Sequence, residues 1–317
     1  MTKIEIQVTG DRWMNPEAVA QQIQNSRGEH SLMFEVNSEG PSLHALGIVD
    51  VIAKNIAEIG IQPDQVWIDR WHNPVEPIPF NRAYQPKYSH FFWMSDSYRD
   101  ATRLPFADRW PMAFFVGRLT FERSVMLWDV SQRWPAQVLI SLMRQSGHLN
   151  FSLEHVVAPW IDPNRSQEFM TWIQSSPFES ITGHRVRDQY IPGNNTNRDL
   201  VAHYDRFFVE LVAETYCQGD TFFPTEKTVR PISQGKPLVV YGPRCFLARL
   251  RELGFQTWGD IWDESYDDLA GHDRWQAIMT VADHVITEKT YKDPRIEKIS
   301  QHNIRVLNDI ITKHGPR

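Results

Sequence analysis

At 317 residues with 41% hydrophobic content, the chain has material for one large or two ordinary domains, which excludes a wholly disordered protein. A formal charge of −6 excludes attachment to nucleic acid by bulk charge alone, although a local basic groove stays open. Cys217 and Cys245 have no metal-type spacing and cannot form a disulfide framework, which fits a reducing cytoplasm.

The opening segment Lys3 to Val8 alternates weakly and predicts a strand. Pro16 to Asn25 predicts a helix, Ser31 to Val36 a second strand, and Asn37 to Pro41 a turn. From Ser42 to Ile59 the apolar residues Leu43, Leu46, Val49, Ile52 and Ile56 recur at helical spacing, and Gly60 stands where a helix ends. Gln65 to Asp69 predicts a third strand, so the first third alternates strand and helix, the order of an α/β layer with parallel strands. The irregular stretch Trp71 to Pro111 reads as loops plus one strand near His90 to Met94, leading to a domain boundary at 108/109. Met112 to Val116 predicts a strand and Arg123 to Ser146 one or two helices broken at Trp134-Pro135, whereas 151–200 gives no clear pattern. Trp275 to Ile286 and Arg295 to Lys313 read as helices, and the segment 286–317 as a final helix packing back across two domains, 1–108 and 109–285. No run reaches the roughly twenty apolar residues that span a bilayer. Nor does the N-terminus hold an apolar core of signal-peptide length.

The best-defined unit is a βαβ: Phe207 to Ala213 as a strand, a short helix from Thr225, the strand Pro237 to Tyr241, then a helix Cys245 to Leu253 closed by Gly254. Pro231 limits the middle helix to about two turns. In open α/β sheets ligands bind beyond the carboxyl ends of strands, where Glu214 and Gly242 fall. A helix N-terminus at Thr225 offers N–H groups to phosphate, Lys227 a full charge, and Glu226 an acceptor for ribose hydroxyls. Against this, Thr followed by Glu is also ordinary helix-capping chemistry.

The run Val212-Ala213-Glu214, Thr225-Glu226-Lys227 and Pro237-Leu238-Val239-Val240-Tyr241-Gly242-Pro243 resembles the donor-binding motif of the α-1,3-fucosyltransferases. The continuation Leu250-Arg251-Glu252-Leu253-Gly254-Phe255 and Trp262-Asp263-Glu264-Ser265-Tyr266-Asp267 is also similar to a less characterised group of virus- and bacterium-borne transferases. Thr215 departs from the Asn usual in the fucosyltransferases, which leaves the sugar open. The resemblance implies a GT-B fold, two Rossmann-like domains facing a cleft. It also implies a nucleotide-diphosphate sugar as donor, with Lys227 on the diphosphate, Glu226 on the ribose, Glu214 near the sugar or pyrophosphate bridge, and Arg118 or Arg123 as a second phosphate partner. Tyr241 and Arg244, flanking Gly242, are placed to meet the base.

Inverting transfer needs a base from the opposite domain. Glu39, in the turn before Gly40-Pro41, is the first candidate, with Glu35, Asp69 and His72 as competitors and an exposed turn carboxylate as the plain alternative for Glu39. No His, Cys or Asp cluster has ligand spacing, so no metal or other cofactor is expected. The acceptor is a glycan, a lipid-linked sugar or a hydroxymethylated base of viral DNA. Trp67, Trp71, Trp93 and Trp110 are candidates for an aromatic cleft, although core packing is the commoner fate of Trp. The rival classes are a non-catalytic nucleotide- or carbohydrate-binding protein of the same fold and a structural protein with an α/β core.

Overall fold

A computed structural model describes residues 1–9, 11–38, 40–71, 73, 75–83, 110–117, 119–142, 159–175, 200–201 and 203–314. Among the described residues the chain forms two four-stranded sheets, both parallel throughout, with helices between the strands. It is a Rossmann-like α/β protein whose buried apolar side chains form one cluster under the first sheet and two on the second, the smaller holding Ala113, Phe115, Leu139, Tyr204 and Phe207.

The first sheet runs β1 (Thr2–Ile6), β2 (Leu32–Val36), β3 (Val66–Asp69) and β4 (Asn81–Arg82) in that order. Ile4, Ile6, Leu32, Phe34, Val66 and Ile68 face one way and are buried under α1 (Pro16–Asn25) and α2 (Ile48–Ile59). The period of two across these strands sends every second side chain into the core. α1 starts with Pro16 in its first turn, where a missing N–H costs nothing, and α2 ends on Gly60 at φ 84°. The helix expected from Ser42 begins only at Ile48. Glu76 draws the Leu43 and His44 N–H groups and the Ser42 hydroxyl into a tight turn, and Gly47 at φ 71° closes it before the helix starts.

The second sheet has the order β6-β5-β7-β8, built from β5 (Trp110–Val116), β6 (Val138–Leu142), β7 (Phe207–Ala213) and β8 (Leu238–Tyr241). Every residue of β7 and β8 is buried, as expected for parallel strands covered on both faces. Between them lies α5 (Glu226–Ser233), with Pro231 inside it and its end two residues on; α3 (Phe121–Arg133) follows β5, and α4 (Ser166–Ser175) packs on α3. The expected second helix before Ser146 is instead β6. Trp134 and Pro135 stop α3, and the apolar run Val138–Leu142 pairs in register with Met112 to Val116.

Buried charge locks this sheet. Arg230 on α5 donates to Glu210 of β7 at 2.7 Å and to the Tyr204 hydroxyl at 2.6 Å, and Lys236 donates to the Phe207 carbonyl at 2.8 Å. Arg274, on α7 (Gly271–Thr287), donates to the Asp267 carboxylate at 3.0 Å and to the Val240 carbonyl. The Asp267 carboxylate in turn accepts the Leu247 and Ala248 N–H groups at the start of α6 (Phe246–Glu252), each at 3.0 Å. Removing either member of such a pair would strand the other, at about 3–5 kcal/mol. The final helix, α8 (Arg295–His314), puts Ile296, Leu307 and Ile311 into the second core, and none of its residues joins the first. The expected packing across both units narrows to packing on the second. No described helix is long and apolar enough to cross a membrane.

Candidate functional site

The strand order of the second sheet reverses between β5 and β7: β6 lies outside β5 on one side and β8 outside β7 on the other. Neighbouring loops at such a reversal leave in opposite directions and open a crevice at the carboxyl ends of the strands, the usual ligand position in an open α/β sheet. A cleft of about 790 Å³ lies here, walled by Thr120, Glu122 and Arg123 at the start of α3 and by Glu214 and Thr215 after β7. Tyr241 at the end of β8, Arg244, and Ala270 with Gly271 at the start of α7 complete this wall. The first unit supplies the opposite wall with Asp11, Ser42, His44, Ala45, Glu76 and Pro77.

The loop from Thr215 to Pro224 joins the two walls. Thr221 donates to the Gly40 carbonyl at 2.5 Å, Asn73 to the Asp220 carbonyl at 2.8 Å, and the Cys217 N–H to Asp11 Oδ2 at 2.9 Å. The Tyr216 and Ser38 hydroxyls are 2.5 Å apart. Gly219, at φ 65°, lies so close to Ser42 that a Cβ there would come within 2.3 Å of its Oγ, and one on Gly40 would meet Phe223 at 2.3 Å. Both glycines are required by close approach of the two units.

Glu214 is 1% exposed and anchors the next element rather than presenting a free carboxylate. Its Oε1 accepts from the Thr225 N–H at 3.0 Å and the Thr228 hydroxyl at 2.5 Å; its Oε2 accepts from the Thr225 hydroxyl at 2.6 Å and the Thr215 N–H at 3.3 Å. Thr225 caps α5 as its pattern suggests, accepting the Lys227 N–H. Lys227 Nζ is 2.7 Å from Glu226 Oε1, 3.1 Å from the Thr215 hydroxyl and 3.3 Å from that of Thr225. Burial alone would raise the Glu226 carboxyl, but the adjacent Lys227 ammonium outweighs it and holds the group at about 2.

Glu214, Arg123 and Tyr241 thus meet in one cleft, whereas Thr225, Glu226 and Lys227 stand behind its wall, with the Thr215 hydroxyl between Lys227 and the open space. Gly242 does not line the cleft either; it packs on Phe246. Arg123 donates from Nη2 to the Glu214 carbonyl at 2.7 Å and the Ala213 carbonyl at 3.2 Å, so it braces the end of β7. Arg244 is exposed in the cleft and has no ion-pair partner among the described residues. Close by, α7 begins at Gly271 with no side-chain cap on its first N–H groups. Trp160 lies against the Tyr241 ring at 6.1 Å and the His272 ring at 5.5 Å, both edge to face, and gives the cleft an aromatic side. Burial raises the Tyr241 phenol well above its ordinary value.

Glu39, Arg118 and His72 lie outside the described residues, as do Trp93 and the strand near His90. Glu35 is bound to Lys3 at 2.8 Å on the outer face of the first sheet, and Asp69 accepts the Arg70 N–H; neither lines the cleft. Trp71 is core, donating to the Pro41 carbonyl at 2.8 Å under the Arg82 guanidinium, and Trp67 and Trp110 also lie away from the cleft. The aromatic side of the cleft comes instead from Trp160 of the second unit.

Asp11 escaped the sequence reading. It stands in a short loop after β1, closed by the antiparallel bridge between Val8 and Trp13, and reaches across to the second unit. Burial pushes its carboxyl up to about 7, Glu122 adds to this, and the Cys217 and Gln218 N–H groups and Arg123 oppose it. Among the described residues no group of three or more His, Cys, Asp or Glu side chains is placed to hold a metal ion. Comparison with protein-family models and with curated proteins gives no match.

Proposed function

We propose that this chain is a glycosyltransferase of the GT-B type, which binds a nucleotide-diphosphate sugar in the cleft between its two units and transfers the sugar to an acceptor hydroxyl. The observation that carries the reading is the cleft itself. It opens at the strand-order reversal of the second sheet, holds an exposed arginine that has no ion-pair partner among the described residues, beside a helix start without a side-chain cap, and is faced by carboxylates of a second α/β unit. Arg244 and the N–H groups at Gly271 suit the negative charge of a diphosphate. Trp160 and Tyr241 suit the face of a base or sugar. Lys227 reaches the same diphosphate through the Thr215 hydroxyl, or directly once it leaves Glu226. The acceptor then enters from the side of His44 and Pro77, as a glycan or a modified base.

Charge stabilisation of the leaving diphosphate by arginine and helix N–H groups supplies what a metal would otherwise provide. A thermal-shift screen with GDP-, UDP- and ADP-sugars tests the reading, with a CMP-sugar, which carries one phosphate, as the control. One class should raise the melting temperature of the parent and less so that of Arg244→Ala. No stabilisation by any of them would refute it, and binding without turnover would leave a non-catalytic binder.

A further inference from the structure

We infer that His44 is the catalytic base of the transfer, its Nδ1 taking the proton of the acceptor hydroxyl; this rests on the cleft being a glycosyltransferase site. A base for this step faces the donor from the acceptor side, is open to the acceptor, and is oriented with a lone pair free. His44 belongs to the first unit, is exposed, and lines the cleft across from the wall that carries Arg244 and Trp160.

Two consecutive residues of one loop, Glu76 and Pro77, hold it. The His44 backbone N–H donates to Glu76 Oε1 at 3.2 Å, the Leu43 N–H donates to Oε2 at 2.8 Å, and the Ser42 hydroxyl donates to Oε1. Glu76 is 2% exposed, so the turn that carries His44 is anchored from inside the protein. The ring is held separately, with Nε2 at 2.9 Å from the Pro77 carbonyl oxygen. A carbonyl oxygen only accepts, so Nε2 carries the proton and the neutral ring keeps its lone pair on Nδ1. Among the described residues nothing hydrogen-bonds to Nδ1.

The carboxylates with which the described part of the first unit lines the cleft are engaged otherwise. Glu76 holds the turn, and Asp11 gives Oδ2 to the Cys217 N–H while its Oδ1 is shut from solvent. Glu39 lies outside the described residues and enters the test as the rival.

In the step, the acceptor oxygen forms its bond to the anomeric carbon as its proton passes to Nδ1. The ring becomes a cation whose other proton stays on the Pro77 carbonyl. The bond from the anomeric carbon to the diphosphate oxygen breaks, and its electron pair leaves on the nucleoside diphosphate, beside Arg244. The ring then returns its extra proton to water. Without an acceptor, water takes the same place and the sugar is hydrolysed.

The test uses the full chain as parent, His44→Gln, His44→Ala and Glu39→Gln, with UDP-glucose, GDP-fucose and ADP-glucose as probes. His44→Gln should bind the stabilising nucleotide sugar within a factor of about three of the parent, while its hydrolysis of that sugar falls by about 100-fold or more. Imidazole added to His44→Ala should raise the residual rate about tenfold or more, and more basic imidazoles should raise it further at equal free-base concentration. A ring that only shapes the turn would give no such dependence on basicity. Hydrolysis by His44→Gln within about threefold of the parent overturns the inference, and a loss confined to Glu39→Gln moves the base there. A loss in His44→Ala that no imidazole restores also overturns it, and each of these results leaves the donor-site reading standing. A parent that binds none of the three sugars overturns that reading itself, and one that binds without turnover overturns the inference together with transfer.

Discussion

Replacing Glu214 by Gln tests whether this carboxylate builds the site or serves a ligand. Both oxygens now accept, each from one backbone N–H and one hydroxyl. A glutamine must present its NH₂ at one of the two positions. Placed at Oε1, the NH₂ faces the Thr225 N–H, which cannot turn away; the Thr228 hydroxyl can, so one backbone donor is stranded. Placed at Oε2, it faces the Thr215 N–H and the Thr225 hydroxyl, whose oxygen already accepts from the backbone N–H and Nζ of Lys227. Either way at least one buried donor loses its partner, a cost of about 1–3 kcal/mol. For a unit of this size each kcal/mol is worth about 2–4 °C, so a fall of roughly 2–12 °C is expected in a thermal melt. Circular dichroism during heating, on parent and Glu214→Gln, measures it. A variant that melts within about 1 °C of the parent but no longer binds nucleotide sugar would refute the anchoring role and return Glu214 to the ligand.

Gly219→Ala should cost about 1–3 kcal/mol, because its Cβ would press on Ser42, and should speed proteolysis of the 215–224 loop; Gly28→Ala, with open space and the same sign of φ, should cost less. Arg274→Met should lower stability to urea by about 3–5 kcal/mol by leaving Asp267 buried without its cation. Glu226 has a folded value near 2 against 4.5 unperturbed, so its contribution to stability is present above 4.5 and lost as pH falls from there toward 2. Acid unfolding of Glu226→Gln should accordingly be flatter across that window than that of the parent.

The elements were legible where local pattern decided them. The buried runs Phe207–Ala213 and Leu238–Tyr241, the Thr225 cap and the Gly60 stop all depend on residues within a few positions of one another. Val138–Leu142 is a strand where a helix is expected, because a run of five with four apolar residues beside a helix carries no period of its own and only pairing with β5 decides it. The site was less legible, since contacts distant in sequence assemble it. Asp11 is a lone acidic residue in a polar loop, and its partner, the Cys217 N–H, is 206 positions away in sequence. Glu214 and Lys227 drew notice by spacing, but spacing did not reveal that Lys227 faces Glu226 and Thr215 while Arg244 faces the open cleft.

Calorimetric titration of the stabilising nucleotide sugar into parent and Arg244→Ala is the most direct measurement of where the donor sits. One site on the parent, weakened about tenfold or more in Arg244→Ala through loss of a charge-assisted contact worth about 1.5–3 kcal/mol, is the expected result. Equal affinity in both proteins, or no binding to either, would contradict a donor held in this cleft.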